Sequence, residues 1–284
     1  MVKIIADSTC DLSKDLLERY DISILPLHIL LGEEEYLDGV NITPQEIYSW
    51  SDQKKTTPKT SAPSLEDARE LMKPYVEEGR ELVCFSISDD MSTSGNVMRL
   101  AAEELQAKGL VRVINSENLS TGIGLQVMEA AIMAKEGKDA ETIVRHIESL
   151  RPFVRASFVV DTLTYLHRGG RCSGLAAMAG GALKLHPRIV VEEGKMKPGR
   201  KYRGSMNKVI MSYVTDMEED LKRAKKDRVF ITHSGCEKEL VDEVRTYLYS
   251  LGQFDEILET IAGGVISSHC GPGTLGVLFI EGKQ

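Results

Sequence analysis

The sequence predicts an α/β protein built as two domains. Three observations predict it: short β-rich apolar runs alternate with helical segments, helix-start signals follow several of those runs, and 284 residues exceed the usual single core. Alternation of this kind implies βα units, and hence a largely parallel sheet in the N-terminal domain. The second half keeps mixing the two elements, and a mixed sheet is expected there. Arg151-Pro152 is the best boundary, dividing the chain into domains 1–152 and 153–284.

In chain order, residues 2–6 read as a short apolar strand, Asp11 as the N-cap of a helix running to Tyr20, and residues 22–31 as a second strand. Thr43-Pro44-Gln45-Glu46 combines a capping box with proline at the first helical position. Ser64-Leu65-Glu66-Asp67 is a similar box, so helices start near Pro44 and Leu65, and the T-S-A-P stretch lies just before a helix N-terminus. Residues 81–88 and 111–116 are further β-rich runs, each followed by a helix; Val97, Leu100, Ala101, Glu104 and Leu105 mostly keep helical spacing. Helices are expected over residues 121–136 and 140–150. Beyond the boundary come a strand over 156–161, a turn at Gly169-Gly170, an alanine-rich helix over 175–185, and a strand over 189–191 that turns at Glu193-Gly194. A helix over 205–224, a strand over 228–232, a helix over 237–251 and strands near Ile257 and Leu278 complete the chain.

Composition narrows the function. Hydrophobic residues at 42% and charged residues at 27% are ordinary, while a net charge of −8 argues against a general nucleic-acid binder and against adsorption to acidic membranes. The opening M-V-K-I-I-A-D-S-T is too short an apolar run for a signal peptide, and no stretch approaches the roughly 20 apolar residues of a membrane span. A cytoplasmic location is the expectation. The five cysteines form no C-x-x-C pair and are odd in number, as reduced thiols would be, so neither a disulfide framework nor a zinc site is expected.

Several sharp motifs fail. Gly122-Ile123-Gly124 opens a helix, but Val127 stands where a dinucleotide fingerprint needs its third glycine. No G-x-x-x-x-G-K-[ST], G-x-S-x-G or H-E-x-x-H occurs. What stands out instead is A-G-G-V-I-S-S-H-C-G-P-G-T-L-G at residues 262–276, together with T-S-A-P-S at 60–64 and S-T-S-G at 92–95. Small hydroxyls, flexible backbone and one histidine could converge on a single anionic group, and a carboxylate fits free N–H groups at strand and helix ends. Taken singly, each has a structural use. Thr60, Ser61 and Ser64 suit helix capping, Ser94-Gly95 a tight turn, and His269 a hydrogen-bonded structural role. A hydrolytic triad of Ser94, His269 and an acid is the competing chemical reading.

Five blocks in order carry a resemblance: D-S-T-C-D-L from Asp7, T-S-A-P-S from Thr60, S-T-S-G from Ser92, D-T-L-T-Y-L-H-R-G-G-R from Asp161 and G-P-G-T-L-G near the end. Together they resemble the DegV family over nearly the whole chain. The resemblance implies a two-domain α/β protein that binds one long-chain fatty acid between its domains and has no catalysis, metal or cofactor of its own. Many members look like the binding subunit of a bacterial fatty acid kinase, whose separate ATP-using subunit phosphorylates the bound acid for phospholipid synthesis. Carried over to this chain, the carboxylate meets Thr60, Ser61 and Ser94 with the Gly95 backbone, and His269 and Arg171 complete the polar end. Arg171 also reads as the clamp of the G-G-R turn. The chain departs from the family pattern at Ala62, where glutamine is usual, and at Asn96-Val97, where Thr-Tyr is usual.

Two segments remain open in the sequence. The small-residue run at 173–183 could leave room for an acyl tail or pack helices closely. Residues 195–203 hold five basic residues and no acid around a Pro198-Gly199 turn, which reads as an exposed loop. The resemblance makes Arg200, Lys201 and Arg203 a docking patch for the kinase subunit; composition alone makes them a solvated charged hairpin. An acyl ester hydrolase using Ser94 and His269, or a lipid-sensing regulator, are the alternative functions.

Overall fold

The computed structural model describes residues 1–172 and 185–282. The small-residue run at 173–183, and residues 175–184 of the expected alanine-rich helix, lie outside the described residues. Strand β1 (Lys3–Asp7) is buried along its whole length, as an apolar run must be when both faces of a parallel sheet are covered. A 3₁₀ turn leads on to α1 (Lys14–Tyr20) and β2 (Ile22–Leu25). Ser13, not Asp11, caps α1 by accepting from the Leu16 N–H; Asp11 is left-handed at φ 51° and uses its carboxyl elsewhere.

The strand expected over residues 22–31 breaks at Pro26, which has no N–H to give a ladder. Its second part, β3 (His28–Leu31), leaves the parallel sheet. It pairs antiparallel with β4 (Glu34–Leu37) and, beyond α2 (Pro44–Lys54), with β5 (Lys59–Ser61), making a small sheet the sequence did not announce. Both capping boxes form as expected, Thr43 heading α2 and Ser64 heading α3 (Leu65–Glu77). Then β6 (Leu82–Ser86), α4 (Ser94–Glu104) and β7 (Val111–Asn115) complete a four-stranded parallel sheet in the order β2-β1-β6-β7. Two helices follow, α5 (Thr121–Lys135) and α6 (Ala140–Leu150).

The second half opens with β8 (Val154–Val159), α7 (Thr164–Gly169), β9 (Leu185–Glu192) and β10 (Lys195–Arg203). Glu193 and Gly194 both have positive φ, the signature of a two-residue hairpin turn. The loop expected at residues 195–203 is therefore an edge strand, paired antiparallel with β9 and bulged between Pro198 and Lys201. An edge tolerates proline, and the period of two turns Met196 and Tyr202 inward while the basic side chains face water. The single helix expected over 205–224 is two, α8 (Met206–Asp216) and α9 (Glu218–Lys222). They part at Met217, which is buried at non-helical φ −93° and ψ 5°, and three acids then fill the first turn of α9, where a helix dipole favours them.

The chain ends with β11 (Ala224–His233), α10 (Lys238–Ser250), β12 (Glu256–Ile261), α11 (Gly264–Cys270) and β13 (Leu275–Glu281). The sheet runs β10-β9-β8-β13-β11-β12, antiparallel except for the parallel β11–β12 pair, so the protein is α/β with one parallel and one mixed major sheet. Helices α7 and α11 were not foreseen because each has only six or seven residues, too few to show a helical period, and α11 is rich in small and hydroxyl side chains.

Helix α5 is buried nearly all round, which places it inside the molecule. Its Ile123, Val127 and Ala130 share one apolar cluster with Ile4 and Phe85 of the parallel sheet and with Phe158 and Ile280 of the mixed sheet. Buried Glu129 adds ion pairs to Lys225 at 2.7 Å and Arg228 at 3.0 Å, tying α5 to β11. No disulfide joins any two of the five cysteines, and no helix of the described residues is long and apolar enough to cross a membrane.

The mixed sheet has no room at Gly276 on β13, where a Cβ would stand 2.8 Å from the Ser157 carbonyl oxygen of β8. Backbone cannot yield as a side chain can. Gly276→Ala is expected to cost about 1–3 kcal/mol, read as a melting temperature lowered by several degrees in thermal denaturation; an unchanged melting temperature would contradict this packing.

Candidate functional site

The site is organised around α11, whose seven residues are too few to be stable alone. Its first N–H groups are satisfied by two buried carboxyls from the other half of the chain: Gly263 donates to Asp11 at 2.8 Å and Gly264 to Asp38 at 2.7 Å. Asp11 also accepts from Ser120 at 2.5 Å, and Asp38 from Ser8 at 2.8 Å. Burial pushes both carboxyls up from the usual carboxylate range, and these hydrogen bonds oppose that rise. The tether sets the direction of α11 and therefore the place of His269 in its last turn.

His269 Nε2 lies 2.8 Å from Thr60 Oγ1 on β5. Among the described residues its buried Nδ1 has no hydrogen-bond partner; it faces Gly169, where a Cβ would come within 2.3 Å of that nitrogen. Only glycine lets the α7 backbone pass this close. Arg171 donates to the Gly169 carbonyl at 2.6 Å, closing the G-G-R turn as a clamp. Burial, and secondarily the Arg171 charge, push the imidazole down from 6.5 to about 4, so it is neutral at pH 7.

These groups edge a cavity of about 440 Å³. Its polar rim is Thr60, Ser61, Ser92, Thr93, Arg171 and His269 with Asp89 and Asp90, and its apolar wall includes Leu27, Ile87, Met91, Leu119, Met196, Val265 and Ile266. A narrow void continues past Leu119, Ile266 and Cys270 toward Phe158 and Leu278 of the mixed sheet. A chamber that combines a cation and neutral donors with an apolar wall can hold an amphipathic ligand. Among the described residues no group of three or more His, Cys, Asp or Glu could hold a metal ion.

Comparison with known proteins sets this geometry in a family. A family model described as an uncharacterised protein of the DegV family matches residues 1–282. The chain belongs to the DegV family. A fatty acid-binding protein of Thermotoga maritima is 31% identical over 281 residues, spanning 97% of this chain and 96% of that one. A DegV family protein of Thermus thermophilus, described for its fatty acid binding, superposes with a TM-score of 0.90 at 31% identity, covering 99% of both chains. A stearic acid-binding protein of Eubacterium ventriosum superposes at 0.86 with 30% identity, covering 99% of this chain and 98% of its own.

The DegV blocks do not all reach the cavity. Thr60, Ser61, Arg171 and His269 line it together. Ser94 and Gly95 are buried in the first turn of α4 and are not among the lining residues; Ser92 and Thr93, just before them, are. Burial pushes the Asp7 carboxyl up, and the Ser94 hydroxyl beside it is one of the groups that oppose that rise, without a hydrogen bond of good geometry. Arg200, Lys201 and Arg203 stand exposed on β10, where Arg200 pairs with Asp216 at 2.8 Å and stacks 5.6 Å from the Tyr202 ring. Sequence reasoning missed Asp89, Asp90 and Met91, although their position after a parallel strand, where α/β sheets bind ligands, was a usable signal. It also missed Met196, hidden inside a basic run.

The depressed His269 pKa makes a direct prediction. An NMR titration should find the imidazole neutral down to about pH 4, and Arg171→Gln should raise its pKa. Because folding lowers this pKa, the associated stability is full above pH 6.5 and is lost as pH falls from there toward 4. Titration near 6.5 would show that the ring is not enclosed as described.

Proposed function

We propose that this chain binds one long-chain fatty acid in the cavity, with its carboxylate at the Thr60–His269–Arg171 end, and presents it to a separate ATP-dependent kinase subunit. The observation that carries the reading is the neutral imidazole hydrogen-bonded to Thr60 in a cavity that also has an extended apolar wall. Relatives described as fatty acid-binding support the ligand class. Thr60, Ser61 and His269 supply hydrogen bonds, Arg171 supplies charge, and Ser94 with Gly95 holds the α4 turn that carries Ser92 and Thr93 into the rim. In this reading the domains 1–152 and 153–284 enclose the tail between them, and the protein acts in the cytoplasm.

Hydrocarbon dominates the affinity. Burying a methylene is worth about 0.8 kcal/mol, so about fourteen methylenes supply on the order of 10 kcal/mol before ordering costs. The narrow void beyond Leu119 and Cys270 gives such a tail somewhere to go once side chains shift. An ester hydrolase is disfavoured by the same geometry: Ser94 is buried and does not line the cavity, His269 Nε2 is engaged by Thr60, and among the described residues no carboxylate orients Nδ1.

Organic extraction of the purified protein should yield close to one long-chain acid per chain by mass spectrometry. Thr60→Val and Ser61→Ala should each weaken binding by about 1–3 kcal/mol while leaving the fold intact, since each strands a charged acceptor. A well-folded preparation that neither carries nor takes up an acyl chain would overturn the proposal.

Kinase docking is placed on β10. Arg200→Glu combined with Arg203→Glu should abolish acyl phosphate formation by the kinase subunit and leave fatty acid binding unchanged, with the wild-type interaction weakening as salt rises. Full phosphorylation of the double variant would remove this patch from the docking surface.

A further inference from the structure

A second cleft, of about 530 Å³, opens between the turn at Arg151–Phe153 and the ends of β8 and β9, and shares no lining residue with the cavity at His269. Four cations line it, Arg151, Arg155, Arg188 and Lys197, against three carboxylates, Glu117, Glu192 and Glu193. Three of the cations already have carboxylate partners. Arg151 pairs with Glu117 at 3.2 Å, Arg155 with Glu281, and Lys197 with Glu192 at 3.1 Å.

Arg188 has none. Among the described residues no carboxylate or carbonyl accepts from its guanidinium, and its Nε is buried without an acceptor. The group is nonetheless held in place, 5.7 Å over the ring of fully buried Tyr213, whose hydroxyl donates to the Ser157 carbonyl at 2.7 Å and accepts from the Val277 N–H at 3.0 Å. Arg151 Nε is likewise buried without an acceptor. Two guanidiniums in one cleft thus have unspent donors, in a protein whose overall charge is −8. Partly desolvated donors of this kind cost stability unless something accepts from them.

We propose that this cleft is a binding site for a small oxyanion, phosphate or carboxylate, held by the Arg188 guanidinium. The planar fork matches a group that offers two oxygens, and stacking on Tyr213 removes the need to order the side chain on binding. The site is independent of fatty acid binding, because neither its residues nor its walls belong to the other cavity.

The test is a titration of the full chain with inorganic phosphate, and in a parallel arm with acetate, at constant ionic strength, following the Arg188 and Arg151 Nε–H signals by ¹⁵N NMR. A saturable shift of the Arg188 signal is expected, larger than any shift at Arg151. Arg188→Gln should weaken binding at least tenfold, Arg188→Lys should weaken it less, and both variants should keep wild-type affinity for fatty acid. Saturation by phosphate alone would assign a phosphoryl ligand, and saturation by both anions a carboxylate-tolerant site. Shifts that never saturate with either anion, or equal affinity in Arg188→Gln, would overturn the proposal; the wild-type titration decides even where a variant fails to fold.

Discussion

Two buried carboxyls hold the functional end of this protein in place. Asp11 and Asp38, from the N-terminal third of the chain, accept the first N–H groups of a helix more than two hundred residues away. A seven-residue helix has little stability of its own, so its direction is set by whatever satisfies its ends. Those carboxyls are expensive to bury, and the hydroxyls of Ser8 and Ser120 offset part of the cost. The result is that His269 meets Thr60 from a strand formed in the other half of the sequence.

Helix α5 does for the two sheets what the carboxyls do for α11. Its apolar faces pack on the parallel sheet and on the mixed sheet at once, and Glu129 anchors it through Lys225 and Arg228. A buried ion pair of this kind contributes position more than net stability, because desolvation cancels much of the attraction. The cavity opens beside this shared wall. Leu119, two residues before α5, lines both the cavity and the narrow void that continues it.

The chemistry at the rim follows from enclosure. Away from water and near Arg171, the imidazole of His269 gives up its proton and is left as a neutral hydrogen-bonding group. Around it the polar lining combines the Arg171 cation, the Asp89 and Asp90 carboxyls and the neutral hydroxyls of Thr60, Ser61, Ser92 and Thr93. The same enclosure explains Gly169, since a ring pinned by Thr60 leaves no space for a side chain on the passing backbone.

Local rules settled much of this in advance. Thr43 and Ser64 begin helices because a hydroxyl and an acid three residues on satisfy free N–H groups within a few residues of chain, and no distant partner is needed. The apolar run of β1 and the spacing in α6 likewise announce a central strand and an amphipathic helix. Thr60, Ser61, Ser94 and His269 stood out as small hydroxyls and an imidazole suited to an anion, while Arg171 came from the family resemblance; of these, Thr60, Ser61, Arg171 and His269 line the cavity. What tertiary structure alone decided was long-range. Pro26 redirects β3 into a third sheet, Asp11 leaves its expected cap to serve α11, Met217 splits a helix because its side chain is needed in the core, and residues 195–203 become an edge strand because β9 is there to pair with. Each of these depends on a partner far away in sequence, and a local pattern carries no information about which distant group will be there.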